Sequence, residues 1–206
     1  MYAEPTDKNE LLRLVMNLNS SKSPGPDNIR PGLIKEVIAA IMDPLLYTYN
    51  LSISTGIVPE KLKTAKVVPI YKKGDSSLAS NYRPISLLSV FDKLLERLMY
   101  NRLMSFLTKH NVLYKYQFGF RTNYSTALAL TEVVDNIYAK LDNQEYVIGI
   151  YLDLQKAFDT VNHEILLHKL FNYGVRGVVH EWFKSYLSDR QQFTVVAGAH
   201  SGKGRR

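Results

Sequence analysis

YVIGIYLDL, residues 146–154, is the stretch on which the fold turns. It is an almost unbroken apolar run with one carboxylate near its end, and this pattern predicts a strand buried on both faces. Side chains alternate along a strand, so Ile148, Ile150, Leu152 and Leu154 share one face while Val147, Gly149, Tyr151 and Asp153 share the other. The second face has room for chemistry. A carboxylate at the carboxyl end of a buried strand is costly to ionise unless it is paired, hydrogen-bonded or bound to a metal. Two partners stay open for Asp153: the following helix or Lys156, which it would cap or pair with, and a metal ion. Asp159 lies too far round a helix to form an acid pair with it. Downstream, KAFDTVNHEILLHKLFNYGV predicts a helix with Ile165, Leu166, Leu170 and Phe171 inward and Gly174 as its stop. A Trp-containing helix, a strand-like QQFTVV and a basic tail follow.

Upstream, helical periods dominate. Leu11, Leu12, Leu14, Val15 and Leu18 recur at helical spacing, and the turn-rich run SSKSPGPDNIRPG follows, with Asp27 suited to an N-cap. GLIKEVIAAIMDPLLYTYNLSISTG predicts a helix, or two in line, with Pro44 breaking or kinking it and Gly56 ending it. Residues 65–71, rich in β-branched side chains, run into Lys72, Lys73, Gly74 and Asp75, which predicts a basic hairpin. After NYRPIS, the stripe Leu87, Leu88, Phe91, Leu94, Leu95, Leu98, Leu103 and Leu107 predicts the longest amphipathic helix. The loop YKYQFGFRTNY then leads to Ser125, a good N-cap, and to a helix with Leu128, Leu130, Val133, Val134, Ile137 and Leu141 apolar.

The chain has 206 residues, nearly half of them apolar, enough to bury a substantial core. Its formal net charge of +7 favours a polyanionic partner, although a solvated positive surface would read the same way. It has no cysteine, which excludes disulfides, thiolate nucleophiles and thiolate zinc sites. Any metal must be held by oxygen or histidine. His163 and His168 do not have the spacing of a helical ligand pair, and His110, His180 and His200 lack acidic or histidine neighbours at ligand spacing, so all five read as structural or solvated. The polar, acidic start MYAEPTDKNE is unlike a secretory signal, and no apolar run reaches the ~20 residues that span a bilayer. The expectation is an intracellular chain with no membrane segment. Lys72, Lys73 and Arg83 bracket one hairpin; they read as an exposed turn and a surface ion pair, or as a set of cations for a triphosphate.

In this order, SPGPDNI, VVPIYKKGD, NYRPISLLSVFDKLLER, QFGFR with Ser125 and Thr126, and YLDLQKAFDTVNHEILLHKL resemble the reverse transcriptase domain of non-LTR (LINE-type) retrotransposons, over about residues 20–177. The resemblance implies an α+β fold, fingers and palm of a polymerase right hand, mostly helical with a small antiparallel sheet. Residues 1–19 would be a lead-in, 20–143 the fingers-like part and 144–206 a truncated palm. By position Asp153 is the palm aspartate that binds the two Mg²⁺ ions of nucleotidyl transfer. Phe158 resembles the bulky residue under the sugar, with core packing as its alternative. Lys72 and Arg83 look like the cations on the incoming triphosphate, joined by backbone amides near Lys156 and Ala157. Gln117, Gly119, Phe120 and Arg121 resemble the loop that meets template or the nucleotide pocket. The implied partners are an RNA template, a DNA primer and deoxynucleoside triphosphates.

Two departures bear on activity. The family's Gly-x-Pro-Gln-Gly segment and its Tyr-x-Asp-Asp turn do not occur in these residues. One Asp cannot hold two metal ions in the geometry of in-line displacement, so the expectation is a chain without polymerase activity of its own. The alternative to a polymerase fragment is a non-catalytic nucleic-acid-binding remnant.

Overall fold

The computed structural model describes residues 1–196, 199–200 and 204–205. It is α+β and mostly helical with a small sheet, compatible with a fragment of a polymerase fold. The chain forms two compact units, one of residues 1–105 and 163–206 and one of residues 106–162. The basic tail expected at 201–206 lies largely outside the described residues, as does the side chain of His200.

The first unit is built on α1 (Lys8–Met16) and α2 (Pro31–Thr55). Asp7 caps α1 by accepting from the Glu10 amide at 2.7 Å, and Leu11 and Val15 are its buried stripe. α2 runs through Pro44 as one helix, without the expected break, and is longer than the helix that follows NYRPIS. Pro44 sits on the exposed face, between exposed Asp43 and buried Leu45, where water can satisfy the carbonyl its missing N–H leaves free. The inward stripe, Ile34, Ile38, Met42, Leu45, Tyr49 and Ile53, is continuous across it. Gly56, at φ 73°, ends the helix in the left-handed conformation that glycine adopts without strain.

Asp27 does not cap α2: Arg30 holds the N-cap position, and Asp27 accepts from the Ile29 amide at 3.1 Å within its own turn. The glycine of SPGPDNI has a packing role. A Cβ on Gly25 would stand 2.5 Å from the Leu88 carbonyl oxygen, so this loop lies backbone against backbone on the residues leading into the next helix.

β1 (Thr64–Tyr71) and β2 (Tyr82–Leu87) form the expected hairpin, in a register that pairs Ile70 with Arg83 and Tyr71 with Tyr82. The Lys72 amide donates to the Asn81 carbonyl at 2.9 Å, which makes that pair hydrogen-bonded. Counting back, the Pro69–Pro84 pair falls on a non-hydrogen-bonded position, where neither missing N–H costs this ladder a bond. β3 (Gln191–Val196) joins β1 in parallel through Val67, and two short strands, β4 (Ala199–His200) and β5 (Gly204–Arg205), pair antiparallel with β3. The parallel β1–β3 pairing makes the sheet mixed.

α3 (Val90–Lys109) buries Val90, Leu94, Leu95, Leu98, Met99 and Leu107; Leu87 belongs to β2. α6 (Val178–Leu187) brings in Trp182, whose indole N–H donates to Ser52 Oγ of α2 at 3.0 Å. α5 (His163–Asn172) is shorter than expected: residues 155–160 are turns, and Ile165 and Phe171 are exposed while Leu166 and Leu170 are half-buried. The helix stops as expected, with Gly174 at φ 96° and the Val175 amide closing on the Leu170 carbonyl at 3.0 Å.

The second unit contains α4 (Thr126–Asp142), capped by Ser125, whose Oγ accepts from the Leu128 amide at 3.2 Å. Here the expectation for residues 146–154 fails. The segment is not a strand and is not buried: Ile148 is 86 %, Ile150 81 % and Leu152 89 % exposed. The physical reason is pairing. A strand exists only where neighbours take up its N–H and C=O groups, and the strands among the described residues pair only with one another.

Candidate nucleic-acid and nucleotide site

The hairpin brings two of the expected site residues together. Arg83 stands opposite Ile70, and Lys72 is two residues past Ile70, so strand alternation puts Lys72 and Arg83 on one face, diagonally across the ladder. Both are exposed. The turn is braced from within: Tyr71 Oη donates to the Gly74 carbonyl, Asn81 Nδ2 to the Asp75 carbonyl at 2.8 Å, and Tyr82 Oη to the Ser76 carbonyl at 2.8 Å. Gly74, at φ 95°, leaves no space for a side chain, since a Cβ would meet Asn81 Nδ2 at 2.8 Å. Asp75 accepts from Ser77, and the hydrogen bonds from that residue's backbone and then its side chain hold the carboxyl below its ordinary value. The turn therefore carries an anion beside its cations.

In the second unit, Gln117, Gly119 and Arg121 form one loop. Gln117 Nε2 donates to the Gly119 carbonyl at 3.3 Å, and Arg121 Nη1 donates to the carbonyls of Tyr114 at 3.2 Å and Gln117 at 3.4 Å. The Arg121 guanidinium also lies 3.9 Å from the Tyr124 ring centroid, so much of its hydrogen-bonding capacity goes to holding the loop. Phe120, at φ 61°, turns outward and meets Phe158 edge to face at 6.0 Å. Phe158 is 77 % exposed and belongs to no buried core.

Asp153 is exposed. Since α5 begins only at His163, it caps no helix. The chain past it turns at Lys156, left-handed at φ 53°, whose carbonyl accepts the amides of Asp159 at 2.9 Å and Thr160 at 3.2 Å, with Ala157 inside that turn. Among the described residues no three His, Asp or Glu side chains gather where they could hold a cation. The donor set around Asp153 thus does not fit a two-metal site by itself.

The sequence reading missed a buried polar cluster. Asp92, fully buried at the start of α3, accepts from Arg190 Nη2 at 3.2 Å through Oδ2, while its Oδ1 has no hydrogen-bond partner. One turn on, Glu96 accepts from Tyr186 Oη. Burial first, and the negative charge of Glu96 second, push the Asp92 carboxyl up to about 7 against the pull of Arg190 and Lys93. The signal was present as a carboxylate between the apolar positions Phe91 and Leu94.

No helix among the described residues is long and apolar enough to cross a membrane. Residues 70–205 match the family described as reverse transcriptase (RNA-dependent DNA polymerase). The chain is 34% identical over 202 residues, 96% of its length, to a probable RNA-directed DNA polymerase from transposon BS of Drosophila melanogaster. It is 34% identical over 196 residues, 93% of its length, to the RNA-directed DNA polymerase from mobile element jockey of the same organism. A putative 115 kDa protein in the type-1 retrotransposable element R1DM is 34% identical over 86% of the chain. The chain spans only about a fifth of each: 22%, 21% and 17%. It belongs to the reverse transcriptase family and is a fragment covering that domain in non-LTR retrotransposon polymerases.

Proposed function

We propose, with that membership as the premise, that this chain supplies the nucleic-acid and nucleotide contacts of an RNA-directed DNA polymerase and does not extend a primer by itself. In this reading residues 20–143 act as fingers and 144–206 as part of the palm, working on intracellular RNA template and DNA primer. Lys72 and Arg83 meet the triphosphate of the incoming deoxynucleotide, and the amide of Ala157 is a nucleotide contact of the second unit. Phe158 lies under its sugar, and Gln117, Gly119, Phe120 and Arg121 meet the template. Asp153 is one of the carboxylates that hold Mg²⁺ in the whole protein. The observation that carries the reading is the hairpin: two exposed cations on one face of a braced turn suit a phosphate chain.

The test has two arms. Purified chain with primed RNA template, deoxynucleotides and Mg²⁺ is expected to add no nucleotide, because it brings one candidate carboxylate. It is expected to bind nucleic acid with an affinity that falls steeply between low and physiological salt. Asp153→Ala should leave that binding unchanged or slightly tighter. Primer extension that Asp153→Ala abolishes would overturn the claim of inactivity, and absent or salt-independent binding would overturn the nucleic-acid reading.

A further inference from the structure

Tyr114, Lys115, Tyr116, Phe118 and Tyr124 surround the QFGFR loop, and the structure gives these residues an organisation that their sequence does not reveal. Tyr114 and Tyr116 meet edge to face at 5.5 Å, as do Phe118 and Tyr124 at 5.6 Å. Lys115 Nζ lies 4.5 Å from the Tyr116 ring centroid, and Arg121 ties the Tyr114 carbonyl to the Tyr124 ring. Yet Tyr114 is 68 % exposed, Tyr116 44 % and Phe120 80 %. Aromatic rings are costly to leave in water, and edge-to-face packing covers one face of a pair at most, so the exposed parts of Tyr114 and Tyr116 still offer surface to a further flat partner.

Resting on the reading above, we propose that this loop is a stacking platform for unpaired bases of single-stranded nucleic acid, with Tyr114 and Tyr116 as the stacking rings and Lys115 on the adjacent phosphate. Charge decides the occupant. Flat rings alone would also suit an apolar protein surface, but here Lys115 lies against Tyr116 and Arg121 against the neighbouring Tyr124, in a chain of net charge +7. That combination matches an alternation of π-faces and phosphates, and every base has a π-face, so the platform is indifferent to sequence. Arg121 is a positioning residue for it: its guanidinium is engaged with loop carbonyls and Tyr124.

The experiment measures binding of fluorescent twelve-nucleotide oligo-dT and of an abasic oligonucleotide of equal length and charge, at fixed low salt and low protein concentration. Unmodified chain is expected to prefer oligo-dT by about fivefold to 150-fold, the range for one stacked base. Tyr114→Ala with Tyr116→Ala should erase that preference, whereas the double Phe substitution, which keeps both rings, should retain it. Lys115→Ala should weaken both probes alike. Equal affinity of the unmodified chain for the two probes overturns the platform without needing any variant, as does a preference that survives the double Ala substitution. Binding of both probes with no preference sinks only the platform and leaves the nucleic-acid reading standing. Failure to bind either probe sinks both.

Discussion

Asp92 shows how one misfit side chain on an apolar helix face sets a property of the whole chain. Its carboxyl, raised to about 7 from 3.8, is faced by Glu96, Arg190, Lys93 and the hydroxyls of Tyr49 and Tyr186. Below pH 3.8 the group is protonated folded or unfolded, and it contributes nothing to the pH dependence. Between about 4 and 7 the unfolded chain ionises while the buried group keeps its proton, so stability falls as pH rises through that window and levels off above it. The full swing is on the order of 4 kcal/mol at 1.36 kcal/mol per pH unit. Urea unfolding at pH 4.5 and 7.5 should show that loss in the parent and a much smaller one in Asp92→Asn, which stays neutral; equal slopes would refute the assignment. Gly25 makes a second case. With a Cβ 2.5 Å from the Leu88 carbonyl, Gly25→Ala forces backbone to move and should destabilise by about 1–3 kcal/mol in the same assay, as overpacking does.

At the scale of elements, what could be read from the chain is what short-range chemistry dictates. Ser125 caps α4, Gly174 stops α5, and the β-branched run before Lys72 forms a strand, because caps, left-handed turns and pleat packing each involve only nearby residues. Pro44 misled because its effect depends on which face of the helix it occupies, and residues 146–154 misled because an apolar run says what a strand would bury and not whether anything pairs with it. The site divides the same way. Lys72 and Arg83 could be named from their strings, but their shared face follows from the register, in which Arg83 stands opposite Ile70. That register yields a prediction: Lys72→Ala and Arg83→Ala should each weaken binding of a single-stranded oligonucleotide irrespective of base sequence, each lowering the salt slope by about one. A control on another element, Lys35→Ala on α2, should do neither. Equal effects at all three positions would mean that diffuse charge accounts for the binding.

For the molecule as a whole, the exposed apolar side chains of residues 146–154 and of α4, which buries none of its residues, decide how the chain behaves in solution. Tyr146, Ile148, Ile150, Leu152 and Leu154 stand open on a segment with no ladder partner among the described strands, and Leu130, Tyr138 and Leu141 of α4 are also exposed. Each large apolar side chain left in water forgoes about 1.5–3 kcal/mol of burial, which contact with another copy of the chain would recover. Charge opposes this weakly: the net +7 repels copies at low salt, but its reach shrinks to ~10 Å at 0.1 M salt, while the apolar attraction persists. Self-association should therefore rise with both protein and salt concentration. Light scattering at rising salt is expected to show growing particles, and Ile148→Lys with Ile150→Lys, both at exposed positions, should suppress the growth without altering the cooperative unfolding of the first unit. A monodisperse parent at high salt would mean that these side chains are covered by a packing of the chain other than the one described.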